Sequence, residues 1–453
     1  MAIDRPESPK TPNHSLSEKH CPVTVEDVDL FGAGAQEHWN EAYEILHRES
    51  PVLRIPGEGM GRASDAFVLT RHEDITRVVK DPARFTPLIT LAVDDIRPLV
   101  EKARKDGGEC EFPPAINAMI VSMASLRPTQ DLYRAHKQEL TDPWVGPGAR
   151  RHEEMIRRSV DMLIDGFIDR GRVEFVAEFA RPLPQIVMAH VLGFPLEDLP
   201  QLADWGTTMV RPFVYGRGHR NLLPRAELEA QAASLAEFGQ YVKDQVGRKR
   251  RQPGDDMTTF LTQVTYSPLG RKLHDTEIEG VVYAMVLGGL ETTQYALAEE
   301  AQLLCDDPML FQTVRADRSK LRAFTEEAMR LRAPTQGLST RLTTQEEVFQ
   351  DTRVPAGSLL HLRFGAGNVD PEAYECPHQV MLDRKRLGGH LTFSQGPRTC
   401  PGAGISRLEQ TCAWNGLLER IERLAYAPGN TFRHQPGIML GTLELRLEFD
   451  ANR

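Results

Sequence analysis

Apolar positions recur at helical spacing over most of the chain and alternate over only a few short stretches. Residues 39–49 read as a helix. Strand candidates at 52–55 and 66–70 flank the Gly-rich run PGEGMGRAS and suggest a hairpin, and 72–80 returns to helical spacing. From Pro87 to Pro128 apolar and charged residues mix irregularly, with glycines at 107–108 and prolines at 113–114. That stretch predicts a long, partly helical excursion of the kind that often forms a binding loop. A stripe of Met155, Val160, Leu163, Ile164 and Phe167 predicts a helix over 150–170. Residues 183–192 are apolar nearly all round, as in a buried helix, and further helices are expected at 199–214 and 225–250. Residues 275–304 read as one long helix that contains Gly288-Gly289. Two shorter helices over 308–331, strand candidates at 339–342, 347–354 and 358–364, a helix at 402–424 and a strand at 442–449 complete the pattern. The first 34 residues read as a tail, and 35–453 as one domain, mainly α with a minor β part.

Composition narrows the classes. Of 453 residues 40% are hydrophobic, enough for a sizeable core. Lys plus Arg is 54 and Asp plus Glu 64, a net charge of −10, which argues against a nucleic-acid partner. The longest wholly apolar stretch, 281–290, is too short to span a bilayer. The N-terminus has no apolar run of signal-peptide type. A cytoplasmic protein without a membrane partner is the expectation. Cys21, Cys110, Cys305, Cys376, Cys400 and Cys412 form no CxxC and complete no zinc box. In a reducing compartment they predict no disulfide framework.

Three constellations carry chemistry. The run Phe393-Ser394-Gln395-Gly396-Pro397-Arg398-Thr399-Cys400-Pro401-Gly402 presents one thiol just ahead of a helix. Helix N-termini favour negative charge and lower thiol pKa, and Arg398 adds a cation nearby. Glu327-Ala328-Met329-Arg330 sets a carboxylate and a guanidinium at i, i+3. Gly288-Gly289 interrupts an apolar helix at a cost of about 1 kcal/mol per glycine relative to Ala, so something should approach that backbone closely. Glu291 and Thr292 follow, an acid and a hydroxyl at one level of the helix. Each alone also reads blandly: a core thiol, a solvated ion pair, a tight helix crossing.

In this order and spacing they resemble the cytochrome P-450 family of haem-thiolate monooxygenases, of the soluble bacterial type. The matching segments are Gly288–Thr293, Glu327 with Arg330, Asn368-Val369-Asp370-Pro371 through Pro377, and the FxxGxxxCxG loop at 393–402. The likeness runs over about residues 35–450. It implies a triangular helical prism with small β-sheets, and heme b with the Cys400 thiolate as axial ligand of the iron. A thiolate in that position favours O–O cleavage. It implies Arg398 and Arg341 as propionate partners, His390 and Phe393 beside the Cys loop, and Gly288 against the haem. Thr292 and Glu291 would hold water and deliver protons, while Glu327 and Arg330 form a structural network. Tyr133 and Lys137 stand where the family places a His and an Arg for the propionates, and both can donate hydrogen bonds. Pro401, without an N–H, follows the cysteine, and Ser394 stands where Gly is common.

By the same positional likeness, Ala284, Leu287, Gly288, Gly337, Leu338, Ser339, Ile438 and Met439 line the substrate pocket, under loops at 89–125 and 209–221. Arg211, Arg217 and Arg220 stand at its entrance. These positions imply a small apolar substrate, for example terpenoid, steroid-like or aromatic. The implied reaction inserts one atom of O2, with electrons from NAD(P)H passed through ferredoxin reductase and ferredoxin. Lys137, Arg384, Lys385, Arg386 and Arg407 are candidates for docking an acidic ferredoxin. The alternatives are an oxidative-coupling haem enzyme and a non-catalytic haem-binding sensor. The Glu291–Thr292 pair counts against the sensor.

Overall fold

Helical periodicity becomes helix wherever the apolar stripe is long enough to bury. The computed structural model describes residues 21–32, 34–60, 64–95, 98, 118–214, 223–337 and 340–452. Within them Trp39–Glu49, His72–Lys80, Pro182–Leu192, Leu199–Val214 and Arg225–Arg251 are helical, at or within a residue of the expected bounds. The stripe at 150–170 shortens to Glu153–Asp165, because Gly166 and a 3-10 turn at Ile168–Arg170 follow it. Among the described residues no helix is long and apolar enough to cross a membrane.

The largest core cluster joins the Asp275–Gly289 helix, through Ile278, Val282 and Val286, to Leu126, Phe175, Phe238, Phe324 and Trp414 on the elements around it. The expected single helix over 275–304 is instead two, Asp275–Gly289 and Glu291–Asp306, interrupted at Leu290. Leu290 keeps right-handed dihedrals (φ −84°, ψ −47°), so the axis continues while the ladder loosens. Its N–H reaches the Val286 carbonyl at 3.4 Å, and the Thr292 hydroxyl takes the Gly288 carbonyl at 2.7 Å. Two glycines weaken this turn and a threonine side chain competes for its carbonyl, which is how helices open locally.

Among the described residues twelve short strands form the minor part. β1 (Val52–Ile55), β2 (Ala66–Leu69), β3 (Phe85–Pro87), β7 (Thr340–Thr343) and β10 (Leu359–Leu362) make a mixed sheet in the order β1-β2-β10-β7-β3. β10 runs parallel to β2 and antiparallel to β7, setting Arg341 opposite Leu360 and Pro87. β8 (Glu347–Phe349) and β9 (Thr352–Val354) pair as a hairpin, as do β5 (Thr265–Tyr266) and β6 (Arg271–Lys272). The expected helix at 402–424 ends at Arg420. Ile421 onward becomes β11 (Ile421–Tyr426), which pairs with β12 (Arg446–Ala451); β4 (Arg172–Glu174) lies on the far side of β12. Ile421 and Leu424 turn inward there while Glu422 and Arg423 stay in water, so pairing with β12 overrides helical propensity.

Candidate active site

The Cys400 loop is held from three sides. The Cys400 N–H donates to the Phe393 carbonyl at 2.9 Å, closing the loop on itself. Gly396 lies at φ 74°, and a Cβ there would come within 2.7 Å of the Val79 carbonyl, so only glycine lets the loop seat on the His72–Lys80 helix. Ser394 also takes a left-handed φ of 57°, which is why a glycine suits that position. Behind the loop, buried His390 places Nε2 3.0 Å from Glu326 Oε2, and Arg407 Nη2 donates to the same oxygen at 3.0 Å. Burial raises the Glu326 carboxyl, but the His390 and Arg407 hydrogen bonds and charges outweigh it and bring it down to about 2. Phe393 lies 6.0 Å from the His390 ring, with the Arg407 guanidinium 4.4 Å over its face. In this structure His390 and Phe393 brace the loop.

A second brace is the Glu327–Arg330 pair. Arg330 directs Nε and Nη2 to the two Glu327 oxygens at 2.8 and 3.0 Å, and gives its other hydrogens to the carbonyls of Asn368, Pro377 and Gln379. Arg384 and the Met381 N–H also reach Glu327, at 2.8 and 3.0 Å. The helix Leu321–Leu331 is thereby fastened to the meander that leads into the Cys loop.

Burial pushes the Cys400 thiol up, while the Gly402 N–H, the charges of Lys137 and Arg407, and the Ala403 N–H pull it back. The N–H that Pro401 lacks is thus supplied by the next two residues of the helix start. Lys137, whose charge acts on Cys400, opens a π turn at Lys137–Thr141 that follows the Gln130–His136 helix. Such turns re-aim side chains at functional sites.

Above Pro401 lies a cavity of about 240 Å³, walled by Ala284, Leu287, Gly288 and Thr292 of the central helices, Val210 and Met439. The two glycines of the helix do different work. A Cβ at Gly289 would sit 2.8 Å from Met188 Sδ, so Gly289 is a tight helix crossing, whereas nothing lies within 4 Å of one at Gly288, which opens on the cavity. Glu291, two residues after Gly289, is buried. Its Oε2 accepts from the Tyr295 hydroxyl at 2.6 Å and its Oε1 from Thr207 Oγ1 at 3.3 Å.

Three guanidiniums gather around Tyr133, which with Arg127 lines the cavity. The Tyr133 ring lies between those of Arg127 and Arg398, each 4.8 Å from its centroid. Arg341, buried on β7, donates among the described residues only to its neighbour's carbonyl, Thr340, at 3.0 Å. Burial, then the charge of Arg398, lower its pKa to about 10. Among the described residues, Arg127 Nε, Arg398 Nε and His136 Nε2 are buried with no partner, and no carboxylate is ion-paired with any of the three arginines. Burial and the nearby Arg127 hold His136 neutral. Desolvated cations without a counter-charge are costly, and this set fits a dianion with two carboxylates, such as the propionates of heme b.

The structure sorts the expected residues. Tyr133, Arg398 and Arg341 share the cationic rim, but Lys137 turns toward Cys400. Its expected place is taken by His136, which with Tyr133 makes an i, i+3 pair lining the cavity, and by Arg127. Sequence reading missed both: the irregular stretch before Pro128 hid Arg127, and His136 was passed over for its neighbour Lys137. Ala284, Leu287, Gly288 and Met439 line the cavity. Gly337 instead packs on Arg363, and Ile438 on Tyr295 behind it. Leu338, Ser339, Arg217 and Arg220 lie outside the described residues. Arg211 is ion-paired with Glu227. Of the docking candidates, Arg384 and Arg407 are committed to Glu327 and Glu326, which leaves Lys385 and Arg386 exposed beside a groove of about 750 Å³ that also holds Lys80, Glu372, Glu375 and Asp383.

A braced cysteine under an apolar cavity with an acid-free cationic rim, in a helical fold with small sheets, defines a haem–thiolate protein. Residues 224–449 match the family model described as Cytochrome P450. The chain is 30% identical over 392 residues to Cytochrome P450 144 of Mycobacterium tuberculosis, covering 86% of this chain and 84% of that protein. It is 28% identical over 412 residues to Cytochrome P450 107B1 of Saccharopolyspora erythraea, covering 89% and 93%. The open form of cytochrome P450 EryK from S. erythraea shares the fold with a TM-score of 0.74 at 24% identity, over 94% of this chain and 98% of that one. The chain belongs to the cytochrome P450 family, whose members bind heme b through a cysteine thiolate and act as monooxygenases.

Proposed function

We propose that residues 35–453 form one catalytic domain that inserts an oxygen atom from O2 into a small apolar substrate, with Cys400 as the thiolate ligand. The observation that carries this reading is one cavity walled by Pro401, next to Cys400 with its Gly402 and Ala403 N–H donors, and by Arg127 and Tyr133, around which Arg341 and Arg398 also gather with no ion-paired carboxylate among the described residues. When bound, the haem supplies dioxygen activation. The chain's own residues do the rest. The three arginines and His136 hold the two propionates. Ala284, Leu287, Val210 and Met439 exclude water and seat an apolar body of terpenoid, steroid-like or aromatic type. Thr292, open to the cavity and anchored on the Gly288 carbonyl, orients water, and Glu291 below it replaces the proton that leaves.

Electrons come from NAD(P)H by way of ferredoxin reductase and ferredoxin. Lys385 and Arg386, exposed and without an ion pair among the described residues, and the groove beside them support a docking face for the ferredoxin. The test is Thr292→Ala, assayed with a plant-type ferredoxin and its reductase on whichever of limonene, progesterone and ethylbenzene gives the largest spin-state shift. NAD(P)H use continues while product per NAD(P)H falls at least severalfold and peroxide rises. Fully coupled turnover in that variant rejects the assignment.

A further inference from the structure

The acid beside the cavity is tied to the segment that carries the cavity wall. Glu291 accepts the Tyr295 hydroxyl at 2.6 Å, one helical turn on, and Tyr295 in turn accepts Gln435 Nε2 at 2.7 Å. Gln435 belongs to a C-terminal hairpin, its N–H bonded to the Gly441 carbonyl at 3.0 Å. Met439 of that hairpin lines the cavity, and Ile438 and Met439 pack on the Tyr295 ring. The hydroxyl has one hydrogen. Gln435 donates to its oxygen, so that hydrogen is committed to Glu291. An amide N–H does not pass protons on, so the chain ends at Gln435 and serves to hold, not to conduct. Burial first, and then the Glu291 charge, keep the phenol protonated far above its ordinary range, so the donor is constant.

We propose that Tyr295, fixed by Gln435, is the positioning residue of the proton relay, holding the Glu291 carboxylate in one orientation beside the cavity and coupling it to the hairpin that touches substrate. The inference rests on Glu291 being the relay acid. A hydrogen bond to a charged group fixes geometry more firmly than a neutral one, and misplacing a reacting group by about 1 Å costs up to about 100-fold. Thr207, at 3.3 Å, is too long a contact to substitute.

The test is Tyr295→Phe, which keeps the ring and its packing. In the haem-free, substrate-free chain, the infrared carboxylate band that Glu291→Gln removes shifts in Tyr295→Phe and shifts less in Gln435→Met. In the reconstituted system above, Tyr295→Phe lowers product per NAD(P)H and kcat by about three- to tenfold and leaves KM within about twofold, so the effect lies on proton delivery and not on binding. On a Glu291→Gln background the same substitution adds nothing. An unmoved infrared band, or a Tyr295→Phe loss equally large on the Glu291→Gln background, overturns the inference and leaves the acid assignment standing. Full coupling in Glu291→Gln overturns the acid assignment itself, and the inference with it.

Discussion

Replacing Arg330 with lysine keeps the charge and removes the fork. Arg330 is 1% exposed and makes five hydrogen bonds, two to Glu327 and one each to the carbonyls of Asn368, Pro377 and Gln379. A lysine ammonium has three hydrogens at a single point, so at least two of the five buried hydrogen bonds are lost. Each lost buried bond to or from a charged group costs about 1–3 kcal/mol, which gives about 2–6 kcal/mol in all. Breaking a buried pair generally costs about 3–5 kcal/mol, in the same range. Glu327 keeps Arg384 and the Met381 N–H, so its charge is not stranded. With an unfolding entropy of about 2.1 cal/mol/K per residue, a chain of 453 residues loses roughly 1 °C of melting temperature per kcal/mol. Arg330→Lys should therefore melt about 2–6 °C below the parent in scanning calorimetry at one scan rate. The shift should not depend on salt, because the pair is buried. Arg158→Lys, at an ion pair whose side chains are 77% and 70% exposed, is the control and should move the midpoint by less than about 1 °C. An Arg330→Lys protein that melts with the parent would refute the reasoning.

Two further outcomes follow from the same geometry. The Glu326 carboxyl is held at about 2 against an ordinary 4.5, so its stabilisation is complete above pH 4.5 and is lost as pH falls toward 2. That amounts to about 3 kcal/mol at about 1.4 kcal/mol per unit, and Glu326→Gln should flatten the acid limb of a circular-dichroism melting profile in that window; an unchanged limb counts against it. Gly288→Ala meets no atom within 4 Å, so it should raise the melting temperature slightly through helix propensity, while weakening the spin-state response to progesterone more than to limonene. A fall in melting temperature would show that the Gly288 position is already filled.

The sequence was most legible where local chemistry and packing agree. The helices at Trp39–Glu49 and Leu199–Val214 have clear apolar stripes and formed as read. The Cys400 loop, Glu327–Arg330 and Gly288–Thr293 were visible because glycines, a lone thiol and an i, i+3 pair are costly or unusual outside a purpose. Legibility failed where a tertiary partner decides. Ile421–Tyr426 became a strand only because β12 lies beside it. The turn at Leu290 opened because Thr292 competes for a carbonyl, which a periodicity count does not register. His136, not Lys137, lines the cavity beside Tyr133, a choice between neighbouring positions of one helix that periodicity does not make. Arg384 and Arg407 looked like free surface charge, but buried carboxylates at Glu327 and Glu326 claim them.

Sulfur ligation by Cys400 underlies every assigned role, and the absorption spectrum of the reduced, CO-treated protein tests it most directly. The parent should show the long-wavelength Soret band of a thiolate-ligated haem, and Cys400→His should show the shorter-wavelength band of nitrogen ligation with haem still bound. A parent spectrum of the nitrogen type, or a thiolate band that survives in Cys400→His, would contradict it.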